Sequence, residues 1–158
     1  MTLPNERGAQ VRFPPPLVFL AAILIGMAMQ RIIVPLSLSI APWLRIAAGV
    51  AIVAGGVSLI GSARTWFLRT GQSPIPWKPS PELIFQGPYR FTRNPMYVGL
   101  TLLVVGLGLA VNDLWVSLCA APALLIVHFI AVLPEERYLT EKFGKDYLSF
   151  LARVRRYI

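Results

Sequence analysis

The sequence is poor in charge, in cysteine and in histidine. Charged residues fill 14% of its 158 positions, against about 25% in a water-soluble domain, so an ordinary soluble fold is excluded. The single cysteine, Cys119, cannot pair within the chain, which excludes a disulfide-built secreted module. Acids are scarce: 7 Asp and Glu face 15 Lys and Arg, for a formal charge of +8. In a hydrophilic protein that balance would point to nucleic acid. Here 56% of residues are hydrophobic and the mean hydropathy is +0.63, so cationic loops at an anionic membrane leaflet are the simpler explanation, and no nucleic-acid partner is expected. Nor is a metal. A chain this short has room for one domain, residues 1–158.

What is present is a set of four apolar runs, about residues 17–34, 43–66, 95–111 and 114–133. Each is at or near the roughly 20 residues that cross a bilayer as a helix. They predict an all-α, polytopic membrane protein with four transmembrane helices and an amphipathic C-terminal helical segment over about 134–156. Only Asn112 and Asp113 separate the last two runs, which must form a tight antiparallel hairpin. Arg7 and Arg12, then Arg64, Arg69, Lys78, Arg90 and Arg93, then Arg137, Lys142, Lys145, Arg153, Arg155 and Arg156 place both termini and the middle loop in the cytoplasm. The plasma (inner) membrane is the expected location. The first run resembles a signal peptide, but Arg31 and the lack of a small-x-small site favour a retained anchor. Ala47, Ala51 and Gly55, with Gly99 and Gly106, read as small residues at helix contacts. Gly106-Leu107-Gly108 follows no strand and is no dinucleotide fingerprint.

Two polar islands interrupt this pattern. The loop at about 70–94 carries Pro74, Pro76, Trp77, Pro79, Pro81, Phe85, Pro88, Tyr89 and Phe91. Its prolines forbid a long helix, and its apolar content suggests an ordered functional cover. It leads into Gly87-Pro88-Tyr89-Arg90-Phe91-Thr92-Arg93-Asn94-Pro95-Met96-Tyr97-Val98-Gly99, where Asn94 reads as an N-cap and Pro95 as the first helical residue. The helix start and Arg93 together favour an anion; a plain capped helix with interfacial tyrosines reads equally well. In the second island, Leu133-Pro134-Glu135-Glu136-Arg137-Tyr138, the proline should break or kink the helix. The adjacent acids ask for a cationic partner. They point about 100° apart, so either one of Glu135 and Glu136 faces inward and the other water, which one being open, or both are solvated. His128, the only histidine, lies seven residues before Glu135 and is predicted on the same helix face, as a functional group or bonded to a neighbouring helix. Leu139, Phe143, Tyr147, Phe150 or Leu151, and Val154 recur at helical spacing opposite Glu141, Lys142, Lys145 and Arg153, with Gly144 ending one helix and Asp146 capping the next. That segment should cover the cytoplasmic mouth of the bundle.

The two islands, in this order and separated by one span, resemble the integral-membrane methyltransferase family that includes isoprenylcysteine carboxyl methyltransferases and phospholipid N-methyltransferases. The resemblance covers about residues 81–156. It implies an all-helical membrane enzyme that holds S-adenosylmethionine in a cytoplasmic pocket, with Leu83, Ile84, Tyr89, Asn94, Pro95, Met96, Tyr97 and Glu135 as cofactor contacts. The cofactor's chemistry then suggests roles. Glu135, or Glu136 in its place, takes the ammonium; Arg93 or the free helix amides take the carboxylate; the tyrosines cradle adenosine and sulfonium. Asn94 stands where many relatives have histidine and cannot titrate. It forms the expected catalytic set with Glu135 and His128, the one candidate base for an amine acceptor. Ala131 replaces an arginine of the isoprenylcysteine enzymes, which argues against a prenylcysteine carboxylate and for another hydrophobic or lipid-like acceptor, methylated on O, N or S. The oligomeric state stays open. Two other readings compete: an NADPH-dependent, sterol-type membrane reductase using Arg90, Arg93, Arg153 and Arg155 for a phosphate, and a non-enzymatic four-helix transporter or assembly partner.

Overall fold

A computed structural model describes Ala9, Val11, residues 13–71, Ser73, Ile75, Lys78 and residues 80–157. Arg7, Arg12, Pro74, Pro76, Trp77 and Pro79 lie outside the described residues. The described chain is helical, with no strand. Its elements are α1 (Pro15–Ile32), α2 (Pro42–Arg69), a 3₁₀ turn (Gly87–Arg90), α3 (Pro95–Val111), α4 (Leu114–Val127), a π-helical stretch (His128–Val132), α5 (Leu133–Phe143) and α6 (Lys145–Arg153). Three helices are long and apolar enough to cross a membrane: α1, α2 and the continuous 30-residue helix Leu114–Phe143. The apolar α3 is shorter, at 17 residues. Leu17, Leu24, Val50 and Val57 are exposed, each at 55% or more, the reverse of a soluble fold and the pattern of a lipid-facing surface.

The core is made from small residues. Gly49, Gly56 and Ala63 form the buried stripe of α2, and α3 answers with Gly99 and Gly106. A Cβ on Gly56 would lie 2.7 Å from the Gly99 carbonyl oxygen, and one on Gly49 2.6 Å from that of Gly106. The stripe predicted from four-residue spacing is thus corrected: Ala47, Ala51 and Gly55 face outward, and a seven-residue repeat forms the seam. Seven residues are close to two helical turns, so that spacing keeps one face in register along the contact.

At the far end from the polar islands, Asn112 takes the left-handed conformation (φ 63°) that ends α3, and Asp113 caps α4 by accepting from the Val116 amide at 3.1 Å. The segment between α1 and α2 is tied to this hairpin: Leu38 N–H donates to Asn112 Oδ1 at 2.9 Å, and Trp115 Nε1 donates to the Val34 carbonyl at 2.9 Å. Replacing Asp113 with alanine is expected to cost about 1 kcal/mol, seen as a lower thermal midpoint in detergent; an unchanged midpoint would show the cap to be dispensable.

Of the two expected outcomes at Pro134, a break does not occur: the helix continues through it. The preceding turn widens to π geometry, and Leu133 N–H bonds back to the His128 carbonyl. Once that turn has left α register, the amide hydrogen missing at Pro134 removes little further bonding, and α5 continues the same rod. Gly144 (φ 51°) does separate α5 from α6, but it also supplies the N-cap position; Asp146 lies inside the first turn of α6 and does not cap it.

Candidate functional site

The foot of α3, the first turn of α5 and the loop before α3 meet around a small cavity. It has a volume of about 130 Å³ and is lined by Phe67, Tyr89, Arg93, Asn94, Pro95, Met96, Tyr97, Glu135, Tyr138 and Leu139, together with Ala9, Ser73, Ile75 and Ser80. Larger spaces elsewhere are open grooves; the one between α1 and α4 is almost wholly apolar and offers nothing to a polar ligand.

Local sequence explains how the loop is held. Gly87 has φ +60°, and a Cβ there would collide with the Trp66 indole, so only glycine lets the chain turn tightly over α2. Ile84 and Tyr89 then bury against Ala63, with Trp66, Phe67 and Met96 packed around them. Phe85 meets Phe150 edge-on at 5.0 Å, and Ser80 N–H donates to the Tyr138 hydroxyl at 3.3 Å. Burial, and after it the Glu135 carboxylate, push the Tyr89 pKa well up, so this phenol stays a neutral hydroxyl on the cavity wall.

The adjacent acids separate sharply. Glu135 faces the cavity, where its Oε1 accepts from the Tyr97 hydroxyl at 2.7 Å; among the described residues no cation pairs with it. Glu136 points the other way and is bound by two guanidinium groups. Its Oε1 accepts from Arg93 Nη1 at 2.8 Å and Arg156 Nε at 2.9 Å, and its Oε2 from Arg156 Nη2 at 2.7 Å. Burial and then Glu136 push the pKa of nearby Tyr147 to about 12, against an opposing pull from Arg93. Arg93 Nε is buried without a hydrogen-bond partner, on a residue that lines the cavity.

Several expected contacts are placed elsewhere. Asn94 occupies the N-cap position, but its side chain does not cap α3; Nδ2 donates instead to the Arg156 carbonyl at 3.0 Å. The helix start is served by the Asn94 carbonyl, which accepts from the Tyr97 and Val98 amides at 3.1 Å each. His128 does not share a face with Glu135. Its Nδ1 lies 2.9 Å from the Tyr157 hydroxyl, because the π-helical stretch shifts the helical phase between residues 128 and 135. Glu136 is committed to the ion cluster and Ile84 to the packing beneath Tyr89, while Leu83 lies in a surface groove with Phe143 and Arg153; none of these, nor His128, lines the cavity. The arginines available for a nicotinamide phosphate do not converge either: Arg90 opens on a separate groove, Arg153 lies along its own helix against Ser149, and Arg155 is exposed.

Sequence reasoning missed the C-terminal strap. Past α6 the chain crosses in front of α3: Arg93 N–H donates to the Arg155 carbonyl at 3.0 Å, and the Thr92 hydroxyl to the Arg156 carbonyl at 3.1 Å. Arg156 carried no signal that separated it from the other basic residues of the tail. Phe67 and Tyr138 were also missed, as ordinary aromatics at a helix end.

A comparison with curated proteins returned no match. A family model for phospholipid methyltransferases matches residues 44–146, a span that takes in the stripe of α2, the loop, α3 and both acids. With the tyrosine-bound acid at the foot of α3 set inside that match, the chain belongs to the phospholipid methyltransferase family.

Proposed function

We propose that the protein is an integral-membrane methyltransferase that uses S-adenosylmethionine and methylates a hydrophobic or lipid-like acceptor at the cytoplasmic face. One observation carries this reading. Glu135, a carboxylate with no counter-cation among the described residues, and Arg93, whose Nε is buried and unpartnered, line the same aromatic cavity. A cation and an anion on one ligand satisfy both, and the ammonium and carboxylate of an amino acid are such a pair. Glu135 would hold the ammonium, Arg93 Nε the carboxylate, and Phe67, Tyr89, Met96 and Tyr97 the adenosine. When bound, the cofactor supplies an electrophilic methyl group on a sulfonium.

The chain's own residues orient the reactants and exclude water. Tyr97 fixes the Glu135 rotamer, and the aromatic walls keep solvent from the transfer path. The cavity's 130 Å³ is below the roughly 300–1,000 Å³ of sites for whole organic ligands, so binding has to widen it. His128 and the Asn94 side chain act on the tail, not on the acceptor, and an amine acceptor therefore has to arrive already deprotonated. In this reading the chain crosses four times, which puts both termini and the middle loop on one side, and the Lys and Arg excess there makes that side the cytoplasmic face of the plasma membrane. α3, about 25 Å long at 1.5 Å per residue, crosses with modest local thinning of the bilayer.

Calorimetric titration of the detergent-purified protein with S-adenosylmethionine, S-adenosylhomocysteine and NADPH tests this. Saturable binding of the two adenosyl ligands and none of NADPH is expected. Binding of NADPH alone, or of nothing by a folded sample, would overturn the proposal.

A further inference from the structure

We infer that Arg156 is a positioning residue, which holds Glu136 so that Arg93 keeps one nitrogen available to the carboxylate end of the ligand. The inference rests on the cofactor reading above and adds to it a residue outside the cavity. A guanidinium and a carboxylate left to themselves favour a two-point, side-on pair. Glu136 makes that pair with Arg156, through Nε and Nη2, and touches Arg93 only at Nη1. Arg93 Nε, on the other edge of that guanidinium, is buried without a partner. Two guanidinium groups on one carboxylate also leave one positive charge beside the cavity, which a lone Arg93–Glu136 pair would cancel.

The backbone of the strap reinforces this arrangement. The Arg155 carbonyl accepts from the Arg93 amide, and the Arg156 carbonyl accepts from both Thr92 and Asn94, at 3.0 to 3.1 Å. The three residues immediately before Pro95 are therefore held by the tail, and the Tyr157 hydroxyl anchors the tail's end at His128, 2.9 Å away. Without Arg156, Glu136 is free to move from Nη1 round to the other edge of the Arg93 guanidinium, where Nε and Nη2 offer the side-on pair.

The experiment compares two ligands in the full-length protein. S-adenosylhomocysteine carries the amino-acid end, and methylthioadenosine has the same adenosine and thioether without it. Arg156→Ala should weaken S-adenosylhomocysteine by about tenfold or more, the scale of one charged hydrogen bond, and leave methylthioadenosine within about twofold. The ratio of the two affinities is insensitive to the folded fraction, which lowers both apparent affinities alike. Should Arg156→Ala fail to fold, Arg156→Lys keeps the charge and loses the fork, and the same selective loss, smaller in size, is expected. Parallel losses for both ligands, or no loss for either, would overturn the positioning role alone. A wild-type protein that binds methylthioadenosine but gains nothing from the amino-acid end would overturn it too, whereas one that binds neither would overturn the cofactor reading and this inference with it.

Discussion

Alanine at Glu135 is expected to weaken S-adenosylmethionine by at least about tenfold, or about 1.4 kcal/mol, with little change in thermal midpoint. Alanine at Glu136 is expected to do the reverse. The two acids are neighbours in sequence and opposite in circumstance. Glu135 has a phenol for company and no cation among the described residues, so its removal breaks no ion pair, and in the proposed function its partner is the ligand's ammonium. Glu136 is the only acid paired with Arg93 and Arg156 among the described residues, and its side chain is 13% exposed. Removing it leaves two cations side by side. Breaking a buried pair costs about 3–5 kcal/mol, and the 37% exposure of Arg156 places this cluster at the lower end. Titration calorimetry and thermal unfolding in the same detergent separate the effects. Equal affinities of wild type and Glu135→Ala would sink the ammonium assignment, and an unchanged midpoint for Glu136→Ala would show that the ion cluster does not hold the strap.

A side chain at Gly56 is expected to be strongly damaging to the packing of α2 on α3. Its Cβ would sit 2.7 Å from the Gly99 carbonyl oxygen and 3.2 Å from both Leu102 Cβ and Leu103 N. Backbone atoms cannot move aside as a flexible side chain can. Gly56→Val must therefore separate α2 from α3, at the upper end of, or beyond, the roughly 1–3 kcal/mol usual for overpacking. Since Pro95, Met96 and Tyr97 begin α3, the same displacement should disturb the cavity. Gly55→Ala is the matched control: nothing lies within 4 Å of a Cβ there, so stability should hold or rise slightly through helix propensity. Denaturation of both variants in mixed micelles gives the answer, and similar stabilities for the two would mean that α2 packs with a different face.

Much of the frame is legible in the sequence because its signals are local. An apolar run states its own length, a proline states that a helix starts at residue 95, and Asn112-Asp113 leaves no room for anything but a hairpin. The polar islands likewise reveal themselves by what they cost in an apolar chain. Helical phase is different, since it accumulates over every intervening residue. A single widened turn between 128 and 132 carries the chain through Pro134, takes His128 off the Glu135 face and gives it to Tyr157. The contact stripe of α2 shows the same limit: small residues occur at both four- and seven-residue spacing, and only the approach of α3 selects Gly49, Gly56 and Ala63.

The candidate site divides along the same line. The residue types that a charged, adenosine-bearing ligand would need, Tyr89, Arg93, Tyr97 and an acid, are all present in the two islands, and composition with spacing is enough to find them. Which acid faces inward depends on how α5 is rotated against α3. Which arginines are spent on structure depends on where the last residues of the chain return. By itself the sequence determined a helical membrane frame and the chemical inventory at its polar rim. The tertiary structure decided the division of labour within that inventory, because hydrogen bonds and ion pairs between residues 20 to 64 positions apart, such as those of Arg156 with Glu136 and of Thr92 with the Arg156 carbonyl, leave no periodic trace along the chain.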